Sequence, residues 1–487
     1  MIAVLKYMKQ NSGYSLLSVL VIFTIVSLIG LTLLGLTANS LKFVSVSKTS
    51  IEDRASAEMA IDEAMAKIDN LIAAINTEIS NSQIPLDSIK ARVQSSLDQI
   101  NSSGVHPFTI THSAKNNNAD GLFVEYVVIK APIGKSGKSI TKTINLSTIS
   151  EVFNYTVVTP GDLSLYGAPY IEGNVLVGGN IKNFNFLGIP SIKGNLMVKG
   201  NYYAGYLGLA EYLPTKDNLK KYFSIPPVTQ QWQETEVPTI DVIHAIEAKQ
   251  SPLKASRVIS KLKEINRYPN ETGYLVDSDV TIKKNESYTI NGNLVVKDNL
   301  KMENGSSLKI NGSIMVYGSA DLSGTLEMAE NNYLYINHQA VLSNLNLKGS
   351  IYVNDTANIN DNNDSNGTIY VRNDVYLKDF SANTGRQTLI VASDGPINLF
   401  FYTIYGSDPK VLNAFFYTNS SLNLLGFISN IKIVGGIYGN PINLAALNDN
   451  NSRLSIQYNQ DMFNYLPLGI PTGAKITIKE LNTIYGE

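Results

Sequence analysis

TINGNLVVKDNL (289–300) is followed at a spacing of 20 residues by KINGSIMVYGSADL (309–322), and these two stretches decide the fold. Each reads as an apolar residue, a polar one, Gly, Asn or Ser, then a short apolar strand. The pattern returns in YIEGNVLVGGNI (170–181), SIKGNLMVKGN (191–201), NLKGSIYVNDTANI (346–359) and NGTIYVRNDVYL (366–377). Its glycines are Gly173, Gly194, Gly292, Gly312, Gly349 and Gly367, at intervals of 21, 20, 37 and 18 within the two clusters, and 37 is close to two turns. An antiparallel sandwich would place turns about 8–12 residues apart. A period of roughly 20 with one glycine corner per unit predicts a right-handed β-solenoid. Each rung is then a few short strands, with Ile, Val and Leu alternating inward and polar neighbours outward. Glycine reaches the corner conformations that other residues reach only with strain, and asparagine at the corners can hydrogen-bond along the stack.

Working outward, residues 161–201 read as the first rungs and 276–487 as the main solenoid with a C-terminal cap. Between them, 202–275 breaks the repeat. It holds Pro214, Pro226, Pro227 and Trp232, and two stretches with helical character, IDVIHAIEAK and ASRVISKLKEI. This reads as a partly helical insertion between rungs, serving either as a binding excursion or as a cover over the solenoid edge. The end of the chain, with Gly435-Gly436, Tyr458 and the segment Pro467 to Pro471, resumes the rung rhythm before a last strand. The repeat resembles bactofilin-like and other β-helical repeats.

Toward the amino end the signal changes. No charged residue lies between Lys9 and Lys42, and Leu16 to Leu36 holds 15 Leu, Ile, Val or Phe among 21 residues. At about 1.5 Å per residue that run spans roughly 31 Å, the thickness of a bilayer's hydrocarbon layer. A transmembrane helix over 14–41 is expected, with Lys6 and Lys9 favouring a cytoplasmic amino end and the bulk of the chain on the other side. Helical spacing continues in polar company through Met65, Ile68, Ile72, Ile75 and Ile79, which makes 42–104 a stalk region ending near Pro85 with a second helix over 86–100. Period-two segments over 105–160 then predict a small sheet. The fold class is α+β: a long N-terminal helix followed by a mainly β domain.

The leader MIAVLKYMKQNSG, ending at Gly13 directly before Tyr14, Ser15, Leu16 and Leu17, resembles the type IV prepilins and pseudopilins, and the helix continuation resembles that of PilX-type minor pilins. The resemblance implies a leader over 1–13, cleavage between Gly13 and Tyr14 by a prepilin peptidase, and methylation of Tyr14. It also implies that the helix bearing Leu16, Leu17, Ser18, Leu20 and Ile22 packs against other pilin-like subunits under the pilus assembly machinery. Major pilins carry a glutamate at the fifth mature position, here Ser18. A hydroxyl cannot neutralise a neighbouring amino terminus, so the departure implies a minor or tip-located subunit of a type IV pilus, or of a related secretion or DNA-uptake filament. A plain membrane anchor is the alternative.

Chemistry is thinly supplied. The 487 residues include no cysteine and four histidines, and the net charge is −2. This removes thiolate sites and the usual drive for direct nucleic-acid binding. No cofactor or metal is expected, and the chain reads as non-catalytic. The densest ionic cluster, Arg372 and Asp374 on one strand face with Lys378 beyond, reads as a salt-bridged surface. Asp361, Asn363 and Ser365 are spaced like the start of a calcium loop, but the twelfth place is Arg372, so a turn is expected there. Two further readings stay open: an anchored adhesin or polysaccharide-acting enzyme, with surface carbohydrate as partner, and a bactofilin-like scaffold that polymerises by stacking solenoid ends.

Overall fold

The computed structural model describes residues 2–486 apart from 81–85, 103–106, 115–122, 135–136, 186–187, 207–208, 213–220, 233–236, 330–331, 383–387, 402–408, 427–429, 447–453 and 464. Side chains are described over those residues except 2–15, 80, 86–87, 102, 114, 206, 209–212, 361–364, 379–382, 460 and 472–474. The chain divides into two compact units. One comprises Met1–Lys115, Glu125–Leu146 and Ile478–Glu487, and the other Asn116–Val124 and Ser147–Thr477.

The first unit is built on one unbroken helix, α1 (Ile2–Ser80). No proline interrupts it, and from Ser47 onward it is rich in Ala, Glu, Met and Lys. Ala57, Ala60, Ile61, Ala64, Ile68, Ile72 and Ile75 are buried at three- and four-residue spacing, which is the stripe a packed helix needs. The second helix α2 (Leu86–Ser102) buries Ile89, Val93 and Leu97 and ties back to α1 through Arg92 and Glu78 at 3.4 Å. A four-stranded sheet completes the unit, in the order β1 (Thr109–Ala114), β2 (Val124–Pro132), β3 (Ser139–Ile149), then the C-terminal strand Thr472–Tyr485. β1 and β2 are antiparallel with Ile110 opposite Ile129, and Val127, Ile129, Ile140 and Ile144 fill the core. The C-terminal strand is a correction to the sequence reading, which gave the whole of 276–487 to the solenoid and its cap. The last strand instead pairs with β3, so the solenoid is inserted in sequence within the smaller fold.

The second unit is the solenoid, with parallel pairing from rung to rung. The expected period is visible in the register: Leu294 pairs with Ile314, Leu300 with Ala320 and Ser287 with Ser307, each 20 residues on. Leu294, Val296, Leu300, Ile310, Ile314 and Val316 point inward and are fully buried. Each such side chain contributes roughly 1.5–3 kcal/mol by leaving water. The motif glycines stack on one another: a Cβ on Gly312 would meet the backbone of Gly292, and one on Gly194 the backbone of Gly173, with Gly194 also at φ +157°. Asparagines run up the corners as expected, with Asn311 donating to Asn291 at 2.8 Å and Asn293 accepting from the Ser313 backbone at 3.0 Å.

The order of rungs in space differs from their order in the chain. The turn reached last, Ile431–Tyr438, Ile442–Ala446 and Leu454–Tyr458, pairs in parallel with the turn entered first: Ile437 opposite Val157, Ile442 opposite Leu163, Ile456 opposite Ile171. The rungs of 161–201 therefore lie inside the stack. From them the stack runs on to Val228–Gln230 at one end, and the chain restarts at Arg257–Ile259 at the other. Among its described residues, what reads as an insertion between neighbouring rungs contains the rung strands Tyr202–Tyr206, Val228–Gln230 and Arg257–Ile259, the start of a fourth, Gly273–Val276, and a return segment crossing nearly the full stack. The helix expected in ASRVISKLKEI is a strand, Arg257–Ile259, and a 3-10 turn, Leu262–Arg267, because Ile259, Leu262 and Ile265 enter the solenoid core. That turn covers one end. The antiparallel hairpin Tyr202–Tyr206/Leu209–Tyr212 and buried Phe223 cover the other.

Candidate functional site

The apolar half of α1 is the first candidate. From Leu16 to Ile51 its large side chains are exposed all round, with Leu16 at 71%, and this helix is long and apolar enough to cross a membrane. Its threonine hydroxyls bond back to the helix: Thr24 donates to the Leu20 carbonyl at 2.7 Å and Thr37 to that of Leu33 at 2.8 Å. Each threonine thereby satisfies its own donor, which lowers the polar cost of immersing the segment in hydrocarbon. Leu17, Ser18, Leu20 and Ile22 all lie on this exposed stretch, Ser18 in the turn after Tyr14. Gly13, Tyr14, Lys6 and Lys9 are within the continuous helix, and their side chains lie outside the described ones.

The second candidate is the ionic cluster, and here the structure corrects the sequence reading. Arg372 and Asp374 do not share a strand face. They sit at the corner between Ala357–Val371 and Val375–Ala382. Arg372 is spent on Glu247 at 2.8 Å, while Asp374 accepts from the Tyr376 hydroxyl at 2.8 Å. Lys378 follows on an exposed position of the next strand. The group is a set of pairwise ties rather than residues converging on one groove. The run 358–367, expected as a turn, is part of the strand Ala357–Val371, with an irregular register between Asn360 and Asn362. Pairing on both sides holds this backbone extended. The side chains of Asp361 and Asn363 lie outside the described ones, and Ser365 is buried.

A third feature is not legible in the repeat pattern. On one solenoid face the outward position at mid-strand is apolar or aromatic on many successive rungs: Val295, Met315, Tyr335, Tyr352, Tyr370, Ala392, Tyr417, Tyr438 and Val158, all buried. Tyr352 and Tyr370 stack at 4.8 Å, and Tyr417 and Tyr438 at 4.3 Å. The cover is the return segment. Ile240, Val242 and Ile246 are buried, the last two on the short helix α3 (Val242–Glu247), whose first turn is capped by Asp241 accepting from the His244 backbone at 2.8 Å. The Tyr417 hydroxyl accepts from the Ile240 backbone N–H at 2.6 Å and lies 3.0 Å from its carbonyl. Further along, Glu247 meets Arg372, Gln250 donates to Asn354 at 3.2 Å, and Lys249 lies 5.0 Å over the Tyr333 ring. Burial raises the Tyr417 and Tyr438 phenols, Tyr438 to about 12, so neither ionises near neutrality. Pro467 to Pro471 lies against the same rungs, with Tyr370 donating to the Gly469 carbonyl at 2.8 Å and Thr368 to that of Leu468 at 3.0 Å. The signal in the sequence is the tyrosine at the centre of YLYI, SIYV, TIYV, FFYT and GIYG, where an open face would carry polar residues.

No family model matches this chain. No curated protein matches it either. Among solved structures, the competence-associated pilin ComZ from Thermus thermophilus is a match at 12% identity, over 79% of this chain and 85% of that one, with a TM-score of 0.23. A score of that size does not establish a common fold.

Proposed function

We propose that this protein is a non-catalytic, pilin-like subunit: a minor or tip component of a type IV pilus or a related secretion or DNA-uptake filament, displaying the solenoid outside the membrane. The observation that carries this reading is the split character of α1. One unbroken helix is apolar and exposed through its amino half and buries a single stripe, Ala57 to Ile75, in its carboxyl half. A filament subunit needs that combination. Its helix must lie in lipid before assembly and against neighbouring helices afterwards, while its far half holds a folded head.

The leader supports the same reading, since Lys6, Lys9 and Gly13 stand directly before the uncharged apolar run that begins after Tyr14. On it, a prepilin peptidase cuts after Gly13, Tyr14 is methylated, and the amino end starts in the cytoplasm. Ser18 in place of an acidic residue supports a position that does not require charge pairing with a further subunit. The ties of Arg372 to Glu247 and of Asp374 to Tyr376 support a structural rather than catalytic use of that corner. The covered solenoid ends weigh against polymerisation by end-to-end stacking.

The test is mass spectrometry of the mature amino terminus in membrane and sheared-filament fractions. A methylated Tyr14 in the sheared fraction is expected, and Gly13→Val should abolish it. An intact Met1 found solely in membranes would overturn the filament reading and leave a plain anchor.

A further inference from the structure

A second solenoid face is built differently from the tyrosine face. Its outward mid-strand column runs Tyr376, Asn398, Asn423, Asn443, Ser164 over successive rungs. The next outward column, two residues on, runs Phe400, Leu425, Ala445, Tyr166, Phe184, in which Ala445 and Phe184 are buried, Phe400 and Leu425 half-buried and Tyr166 exposed. Neither column holds a charge. Lys378 bounds the second at one end, and the Lys182–Asp162 pair at 2.6 Å bounds the first at the other.

The asparagines form a ladder, Asn423 donating to Asn398 at 2.9 Å and Asn443 to Asn423 at 2.9 Å. An amide has two donors and two acceptor positions. Asn423 therefore keeps one donor and one acceptor position after its two ladder bonds, at a point held fixed from both sides. Beside the ladder, Tyr166 stacks on Phe184 at 4.8 Å. Tyr166 and Tyr376 are each 40% exposed, whereas Tyr417 and Tyr438 on the covered face have almost no exposure.

We infer that this face binds a linear, uncharged β-1,4-linked glycan lying along the solenoid axis. Rungs repeat at about 4.8 Å, and a β-1,4 chain is an extended ribbon whose rings follow one another at a similar spacing. Its flat ring faces suit the exposed rings Tyr166 and Tyr376, Tyr166 being held from behind by the buried Phe184, and its hydroxyls suit the open donors and acceptors of the amide ladder. A polymer of identical units is the partner that a translationally repeated surface complements, and the absence of charge in both columns selects a neutral one. The inference does not depend on cleavage at Gly13 or entry into a filament, because every residue named lies in the solenoid unit.

The test uses the full chain in detergent, with cellohexaose and chitohexaose as probes, in calorimetric titration and affinity electrophoresis. Saturable binding of at least one probe is expected. Tyr166→Ala and Tyr376→Ala should each weaken it at least tenfold, and Asn423→Ala several-fold. Lys309→Ala, on a different face, should leave it unchanged. Circular dichroism and melting of each variant separate lost binding from lost fold; should Asn423→Ala unfold, the two exposed tyrosines carry the test alone. No binding of either probe would overturn the inference. So would binding untouched by both tyrosine substitutions, equal binding of polygalacturonate, or self-association through Tyr166 without glycan binding.

Discussion

At the residue scale, position in the fold decides what each side chain costs. Gly312 and Gly194 are required because the neighbouring rung's backbone occupies the space of a Cβ, and their regular recurrence made them readable in advance. Lys479 shows the opposite case. It lies on the C-terminal strand, and burial lowers its ammonium to about 7 from an ordinary value near 10.4. The unfolded chain therefore binds more protons between those values, so this residue's penalty on the fold is full below about 7 and is relieved as pH rises toward 10. Lys479→Met should stabilise the protein by on the order of 1–2 kcal/mol at pH 6, with a smaller gain at pH 10. Denaturant unfolding of both proteins at the two pH values checks this, and a gain independent of pH would refute it. Nothing in the alternation around Lys479 announced its burial, which depends on what packs against that strand.

At the scale of elements, the described part of the return segment, 237–256, has little regular structure of its own. Its helix α3 has six residues, too short to persist alone, and it is held by the face it covers. Tyr417 is the central tie, since its hydroxyl meets both polar groups of Ile240. Tyr417→Phe keeps the ring stack on Tyr438 and strands the buried Ile240 amide, at a cost of about 1–3 kcal/mol. Hydrogen exchange should then show faster opening over 240–250 with the rungs at 293–316 unchanged; equal loss in both would mean that the segment is not a separate unit. The sequence revealed a helix near 240–249 through IDVIHAIEAK. It did not reveal that the segment runs along the stack, because a cover and an excursion have the same apolar content.

At the scale of the whole molecule, the seam where the last turn meets the first is the decisive contact. Val157 and Ile437 are paired and fully buried there, and the Ile437 N–H donates to the Thr156 carbonyl at 2.9 Å. Pairing across such a sequence separation carries a large loop-closure entropy before any reward, which predicts slow folding for this part of the stack. Ile437→Asp would bury an unpaired carboxylate, a change costing several kcal/mol. Limited proteolysis should then cut first within 157–172 and 431–458 while 293–353 stays protected. Uniform digestion of the solenoid would show that the seam is no weaker than any other rung contact.

Whatever follows from local period was legible in the amino-acid order alone. The uncharged run from Leu16 makes an exposed apolar helix, Ile68, Ile72 and Ile75 make its packed continuation, and the glycine corners with alternating Ile, Val and Leu make a solenoid. These are nearest-neighbour properties, legible because each residue's role repeats in the next turn or rung. Long-range packing, in contrast, sets the pairing of Thr472–Tyr485 with β3, the docking of Ile437 on Val157 and the covering of the tyrosine column by 237–257. Every rung presents the same backbone edge to its neighbours, so the pattern can say that rungs stack but not which rung meets which. Side-chain fit at the seam and under the return segment makes that choice.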